Sequence, residues 1–314
     1  MMFPSRSSRS LLVAVLAAAG LLAAGCGATR ESEDVEEGAI LDGFDVTDAR
    51  ADAIGSVGFI YGPTTFDGKC TGTLIARDRV LTAKHCVQAT AAEAPYVVDR
   101  DVGFAVGFDV HSPRRVVRFT KVERLEPHEG GYVGFGHDVA VYTLAEPIDD
   151  VAPLPLANDA LSASSVALRL WAVGFGAQDY DGRVRGTRRA GAVRLRAVEG
   201  KALPSLFPTF DAMEALLTAS EGRDWVTASR GALMSLYGYE LLPGGEVYAA
   251  PDTAQPCDGD SGGPLVARRA GTVAEYEILG VVSGSKKGRD GRCSVLGEFY
   301  APVSARLVGP LAAR

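Results

Sequence analysis

From Ile40 onward the chain is a succession of short runs rich in β-branched and aromatic residues, each closed by glycine or another turn former. "SVGFIY" (56–61), "GTLIA" (72–76), "RVLTA" (79–83), "VGFAVGF" (102–108), "RVVRFTKVE" (115–123), "DVAVYTL" (138–144), "VALRLWAVGF" (166–175), "AVRLRAV" (192–198), "EILGVVSG" (277–284) and "EFYAPV" (298–303) all have this character. Many short strands at turn-limited spacing demand mutual pairing, so the chain is expected to be all-β, a sandwich or barrels. One segment departs from the pattern. In "TFDAMEALLTA" (209–219), Phe210, Met213, Leu216 and Leu217 recur at helical spacing behind a Thr209 cap, which predicts an amphipathic helix packed on the body.

With 314 residues and 47% hydrophobic content, the chain can bury one large core or two smaller ones. Residues 1–25 read as an export signal. Arg6 and Arg9 precede an apolar run too short for a membrane span of about 20 residues. "LAAGC" resembles the bacterial lipobox, with Cys26 as the lipidated residue, although Ala23 stands where leucine is commonest; cleavage after "CGA" is the rival reading. Residues 26–39, with five acids and one arginine, read as a solvated linker or propeptide, leaving 40–314 as the folded domain. The expected location is therefore the cell envelope or the extracellular space, with the membrane reached through lipid on Cys26.

Cysteine usage agrees with export. If lipid consumes Cys26, then Cys70, Cys86, Cys257 and Cys293 can form two bridges in an oxidising compartment. Cys-x-x-Cys and paired-histidine spacings are absent, so neither a zinc site nor any other cofactor is expected. Removing Arg6 and Arg9 leaves 30 basic against 39 acidic residues, which argues against nucleic acid as a partner. Six arginines lie in residues 181–196, alternating near Val193 and Leu195, and are read as a solvated strand face.

The stretch "AQPCDGDSGGPLV" (254–266) crowds glycines and acids around Ser261. It is either a tight surface turn or a loop whose backbone N–H groups must meet an incoming carbonyl oxygen. A serine nucleophile needs a base, and imidazole titrates in the right range. His85, His111, His128 and His137 all precede Ser261, which excludes the Ser-acid-His order of the α/β-hydrolases and leaves His, Asp, Ser.

"LTAKHCV" around His85, "HDVAVYTL" around Asp138 and "CDGDSGGPLV" around Ser261, with "AVGFG" (172–176) and "LGVVSG" (279–284), resemble the chymotrypsin-like serine proteases of the trypsin family. The resemblance implies two six-stranded antiparallel β-barrels packed face to face; the stretch between Asp138 and Ser261 is longer than simple members of the family use, and the excess is read as a partly helical insertion around 200–245. It implies Ser261 as nucleophile, His85 as general base and acid, Asp138 as its orienting partner, and the N–H groups of Gly259 and Ser261 as an oxyanion hole. His137 is then a strand-edge residue. It implies the bridges Cys70–Cys86 and Cys257–Cys293, each worth about 3 kcal/mol.

"GAILDGFD" (38–45) resembles the family's mature start, so cutting after Ala39 would let the amine of Ile40 pair with Asp260. A separate activating protease is expected, because Ala39 is not basic. The same cut would release the domain from Cys26. Gln255 replaces the aspartate that gives trypsin its basic preference, and Gly284 follows Ser283 directly before the long loop "SKKGRDGR" (285–292). The pocket is expected to involve Gln255, Asp258, Ser283, Gly284 and Glu298. Glu298 could restore a preference for Arg or Lys, unless a one-residue slip puts Gly297 in its place. The expected substrate is protein or peptide. A silent protease-like binding module and an esterase are the competing readings.

Overall fold

The computed structural model describes residues 40–41, 43–62, 65–86, 96–97, 101–125, 131, 137–179, 184–268, 275–284, 287–291, 293 and 295–313. The signal and linker readings (1–39), Cys26 and His128 lie outside the described residues. Fourteen strands are described: β1 (Phe44–Asp45), β2 (Ile54–Gly62), β3 (Thr65–Ala76), β4 (Arg79–Thr82), β5 (Tyr96–Val97), β6 (Val102–Val106), β7 (Arg115–Arg124), β8 (Ala140–Leu144), β9 (Arg169–Gly174), β10 (Arg189–Ala197), β11 (Val247–Pro251), β12 (Pro264–Arg268), β13 (Tyr276–Gly284) and β14 (Glu298–Pro302). All ten runs singled out in the sequence are strands or carry one.

The strands close into two antiparallel rings. In the first, the order β7-β6-β2-β3-β4-β8 returns to β7, with β5 added outside; in the second, β10-β11-β14-β13-β12-β9 returns to β10, with β1 added outside. Closure leaves no ring strand with a bare edge, the usual reason for a barrel. Alternation along each strand fills the interiors. Leu74, Val80, Phe104 and Tyr142 pack inside the first ring, where Phe119 stacks on Tyr142 at 3.9 Å. Leu170, Val193, Leu195 and Tyr300 fill the second.

A third cluster joins the two. Leu81, Val139 and Val141 of the first ring's side meet Val173, Val266 and Val281 of the second. Helix α3 (Ala305–Ala312), capped by Ser304, lays Val308 and Leu311 on the same seam. The helix expected at 209–219 is α1 (Phe210–Glu221), and the Thr209 hydroxyl accepts from Ala212 N at 3.2 Å. Met213 and Leu217 are buried as expected, whereas Leu216 is exposed. A second helix, α2 (Arg223–Tyr237), completes a hairpin whose core includes Val226, Leu233 and Phe299. The sequence pattern missed α2 because only Val226, Leu233 and Leu236 are buried along its 15 residues.

The solvated-face reading of the arginines needs correction at two positions. Arg188 and Arg189 are buried, at 0% and 7% exposure. Arg188 donates to Asp52 Oδ1 at 2.9 Å, to Val46 O at 3.0 Å and to Asp48 O at 3.1 Å, so it ties the strand entering the second ring to the segment entering the first. Burial pushes its pKa down, and hydrogen bonding to Asp52 pushes back. Removing one partner of a buried pair leaves the other charge uncompensated, which costs about 3–5 kcal/mol. Arg188→Ala is therefore expected to lower the free energy of unfolding by that amount in urea titrations, whereas Arg77→Ala, on an exposed ion pair with Asp149, should change it by less than about 1 kcal/mol.

Candidate active site

His85 sits in a single 3-10 turn, Lys84–Cys86, directly after β4, and Asp138 lies two residues before β8. Pairing of β4 with β8 brings these two strand ends together, Thr82 facing Ala140. Asp138 is 1% exposed. Its carboxylate accepts from His85 N at 2.9 Å and lies 2.7 Å from His85 Nδ1. From the other ring, the Ser283 hydroxyl donates to the same carboxylate at 2.6 Å. With Nδ1–H held by Asp138, the neutral ring carries its lone pair on Nε2. Such an imidazole can accept a proton from a hydroxyl on that side.

Ser261 occupies the turn between β11 and β12, half-buried. Its carbonyl accepts from Thr71 N at 2.8 Å and lies 3.6 Å from Cys86 Sγ, so this backbone is held against the residue that follows His85. Thr71 is a brace that the sequence did not reveal. Its hydroxyl donates to Gly259 O at 2.9 Å and accepts from Phe175 N at 3.1 Å. Gly259 has φ +98°, and a Cβ there would stand 2.8 Å from Gly176 Cα. Both features demand glycine, and the Thr71 hydroxyl holds the Gly259 carbonyl.

Two disulfides flank the arrangement. Cys70–Cys86 anchors the His85 turn to β3, and Cys257–Cys293 joins the Ser261 turn to the loop after β13, with Cα separations of 6.2 and 5.5 Å. His137 precedes Asp138 outside the strand, and His111 lies elsewhere, at a cleft lined also by Asp67, Cys70, Phe175, Arg185 and Gly259.

Ser283, read as part of a pocket, donates its hydroxyl to Asp138. Gly284 pairs with Phe299, and Asp258 forms an ion pair with Lys287 at the surface. Glu298 opens β14, facing Ala249, and is 3% exposed; Gly297 lies outside the strand at φ +99°. Glu298 shares a strand face with Tyr300, whose pKa is raised by burial and by the Glu298 charge. Gln255 is buried, and its N–H donates to Leu41 O at 3.1 Å.

Asp260 is fully buried and accepts from Gly176 N and Cys257 N, both at 2.8 Å. Burial raises its pKa to about 7, against the lowering effect of those two bonds. Ile40 packs in the second ring's core with Ala254, and Leu41 bridges Gln255, so the segment after Ala39 lies along the strand-free stretch that leads to Asp260.

The model of the Trypsin family matches residues 48–201 and 245–307, and the chain belongs to that family. It is 26% identical over 219 residues to "Serine protease filzig" of Drosophila melanogaster, covering 68% of this chain and 11% of that protein. The chain thus spans about a tenth of the length of that relative. Residues 202–244, which contain α1 and α2, fall outside the family match.

The raised Asp260 carboxyl has a consequence for stability. Its folded pKa of about 7 exceeds the unfolded value, so the uncut folded chain binds the extra proton between about pH 4 and 7. Its contribution to stability is full below about pH 4 and is lost as the pH rises through 7. A neighbouring cation would lower the pKa and remove that loss. Urea unfolding from pH 4 to 8 should show a decline in the uncut chain that is weaker in Asp260→Asn and in a chain whose amino terminus is Ile40.

Proposed function

We propose that the chain is an exported serine endopeptidase, made as a zymogen, that hydrolyses peptide bonds through an acyl-enzyme. Ser261 attacks the scissile carbonyl while His85 Nε2 takes its proton, and the tetrahedral oxyanion is met by the N–H groups of Gly259 and Ser261. Collapse expels the leaving amine, which receives the proton from His85. Water then repeats the sequence on the acyl-enzyme and frees the acid. Asp138 holds the ring in the required tautomer and stabilises its charged form.

The observation that carries this reading is the buried Asp138 carboxylate, which engages both the backbone and the ring of His85. A core histidine needs one partner. An orienting carboxylate with donors from both rings is what proton transfer at a fixed Nε2 needs.

Activation follows from Asp260. Cutting after Ala39, by a separate protease that accepts small residues, gives Ile40 a charged amine that pairs with the buried carboxylate and steadies the Gly259 amide. The same cut would detach the domain from lipid on Cys26. The pocket is proposed to favour Arg or Lys. Glu298 supplies buried negative charge, and Gln255 Nε2 and Tyr300 Oη are buried without a hydrogen-bond partner among the described residues.

Two measurements test this. A fluorophosphonate probe should label Ser261 in the chain cut after Ala39, label the uncut chain far more slowly, and leave Ser261→Ala unlabelled. Ser261→Ala and His85→Ala should each cut peptide hydrolysis by about 10⁴-fold or more, with no further loss in the double variant. A cut, disulfide-bonded chain that resists the probe would establish the binding-module reading instead; ester turnover without peptide turnover would establish the esterase. For the pocket, Glu298→Gln should lower the Arg-to-Phe cleavage ratio at least about tenfold by removing a buried charge partner. Equal Arg cleavage by both forms rejects that assignment.

A further inference from the structure

The helical hairpin α1–α2 lies outside the family match, yet it reaches the loop that joins Ser283 to Cys293. The contact is made by Glu221, the last residue of α1, just before Gly222 turns the chain into α2. Glu221 is 7% exposed. Its Oε2 accepts from Arg289 N at 2.8 Å. A Cβ on Gly288 would stand 2.6 Å from Oε1 and 2.8 Å from Oε2, so the loop backbone lies directly on the carboxylate.

Two local rules oppose this placement. A carboxylate at a helix C-terminus faces the negative end of the helix dipole, and burying a charge costs free energy unless its hydrogen bonds are restored. Local rules are broken where something outside the element requires it. Here the outside element is the loop. Its far end is tied by the Cys257–Cys293 bridge, its near end continues from β13 beside Asp138, and Lys287 pairs with Asp258, next to Gly259. Between those ties, Gly288 and Gly291 leave the 287–291 backbone a wide choice of conformations. Glu221 holds its middle.

We propose that Glu221 is a positioning residue for substrate recognition: from the insertion, it holds the 287–291 segment as a wall of the specificity pocket. This rests on the protease reading above. The Glu221 carboxylate holds Arg289 and Gly288 of the loop, so the chemistry of acylation is preserved when Glu221 is lost, while the pocket loses its preorganised wall and binds side chains less tightly and less selectively.

The test uses the full catalytic chain cut after Ala39, with wild type, Glu221→Ala, Glu221→Gln, Gly288→Ala and the double Glu221→Ala/Gly288→Ala. Glu221→Ala should raise KM for the preferred peptide about tenfold and flatten the selectivity profile, with kcat and the fluorophosphonate labelling rate within about threefold of wild type. Glutamine keeps an acceptor oxygen and should restore most of KM. Gly288→Ala displaces the loop from its own side and should reproduce the KM rise, and the double variant should be no worse than either single, as expected of residues in contact. Hydrogen exchange at Arg289 should quicken in the alanine variant and not in the glutamine one. Unchanged KM and selectivity in Glu221→Ala and Gly288→Ala, in enzyme that labels normally, would overturn the proposal. A fall in melting temperature with no such KM change would do the same. Wild type that neither labels nor cleaves would instead bring down the protease reading, and this inference with it.

Discussion

A carboxylate that is 1% exposed must have its charge answered by hydrogen bonds, and Asp138 draws them from both rings. His85 donates from the first ring through its backbone and holds its ring against the same group; Ser283 donates from the second. The face-to-face packing of the rings is therefore coupled to the orientation of one imidazole. The seam of Leu81, Val141, Val173 and Val281 provides the apolar burial, and the Asp138 cluster gives that burial a direction. Apolar contact alone tolerates sliding; short, charge-assisted hydrogen bonds do not. Arg188 and Asp52 form a second polar tie between the segments that enter the rings. The site is thus rigid because it lies where two separately closed barrels have to agree.

Much of this was legible in the sequence because it depends on local pattern. Short runs rich in β-branched and aromatic residues, such as "RVVRFTKVE" and "EILGVVSG", specify strands whatever they later pair with. The two-residue strands β1 and β5 carry too little pattern to be read, and the five-residue β11 and β12, which flank the Ser261 loop, were not read either. The blocks around His85, Asp138 and Ser261 carried the family resemblance, and the resemblance carried both disulfide pairings. What stayed hidden depends on partners far away in the chain. The Ser283 hydroxyl meets a carboxylate 145 residues earlier, and no spacing announces that. Thr71 acts through backbone groups near residues 175 and 259. Arg188 and Arg189 were misread because an arginine beside alternating apolar residues looks solvated until the acceptors around it are known.

The insertion teaches the same lesson at larger scale. Thr209 and the Met213 and Leu217 spacing announce α1, but nothing in the 43 residues from 202 to 244 says where the hairpin will dock. Its core is completed by Phe299 and Tyr248 of the second ring, so the docking site is written in β11 and β14. Phe299 is followed by Tyr300, which faces the ring interior, while Glu298 on that same interior face precedes it. One strand therefore carries the hairpin on one face and the buried Glu298 carboxylate on the other.

Helix α3 adds an order in time. Val308 and Leu311 complete the seam between the rings, yet they follow every strand of both rings in the chain. A ribosome makes His85 and Asp138 long before Ser283, the hydroxyl that Asp138 accepts from the other ring, and longer still before Ala305–Ala312. The first ring can close early; the paired arrangement cannot. Pairing of the two rings therefore waits on the stretch that carries Ser283 and α3, however early the first ring has closed.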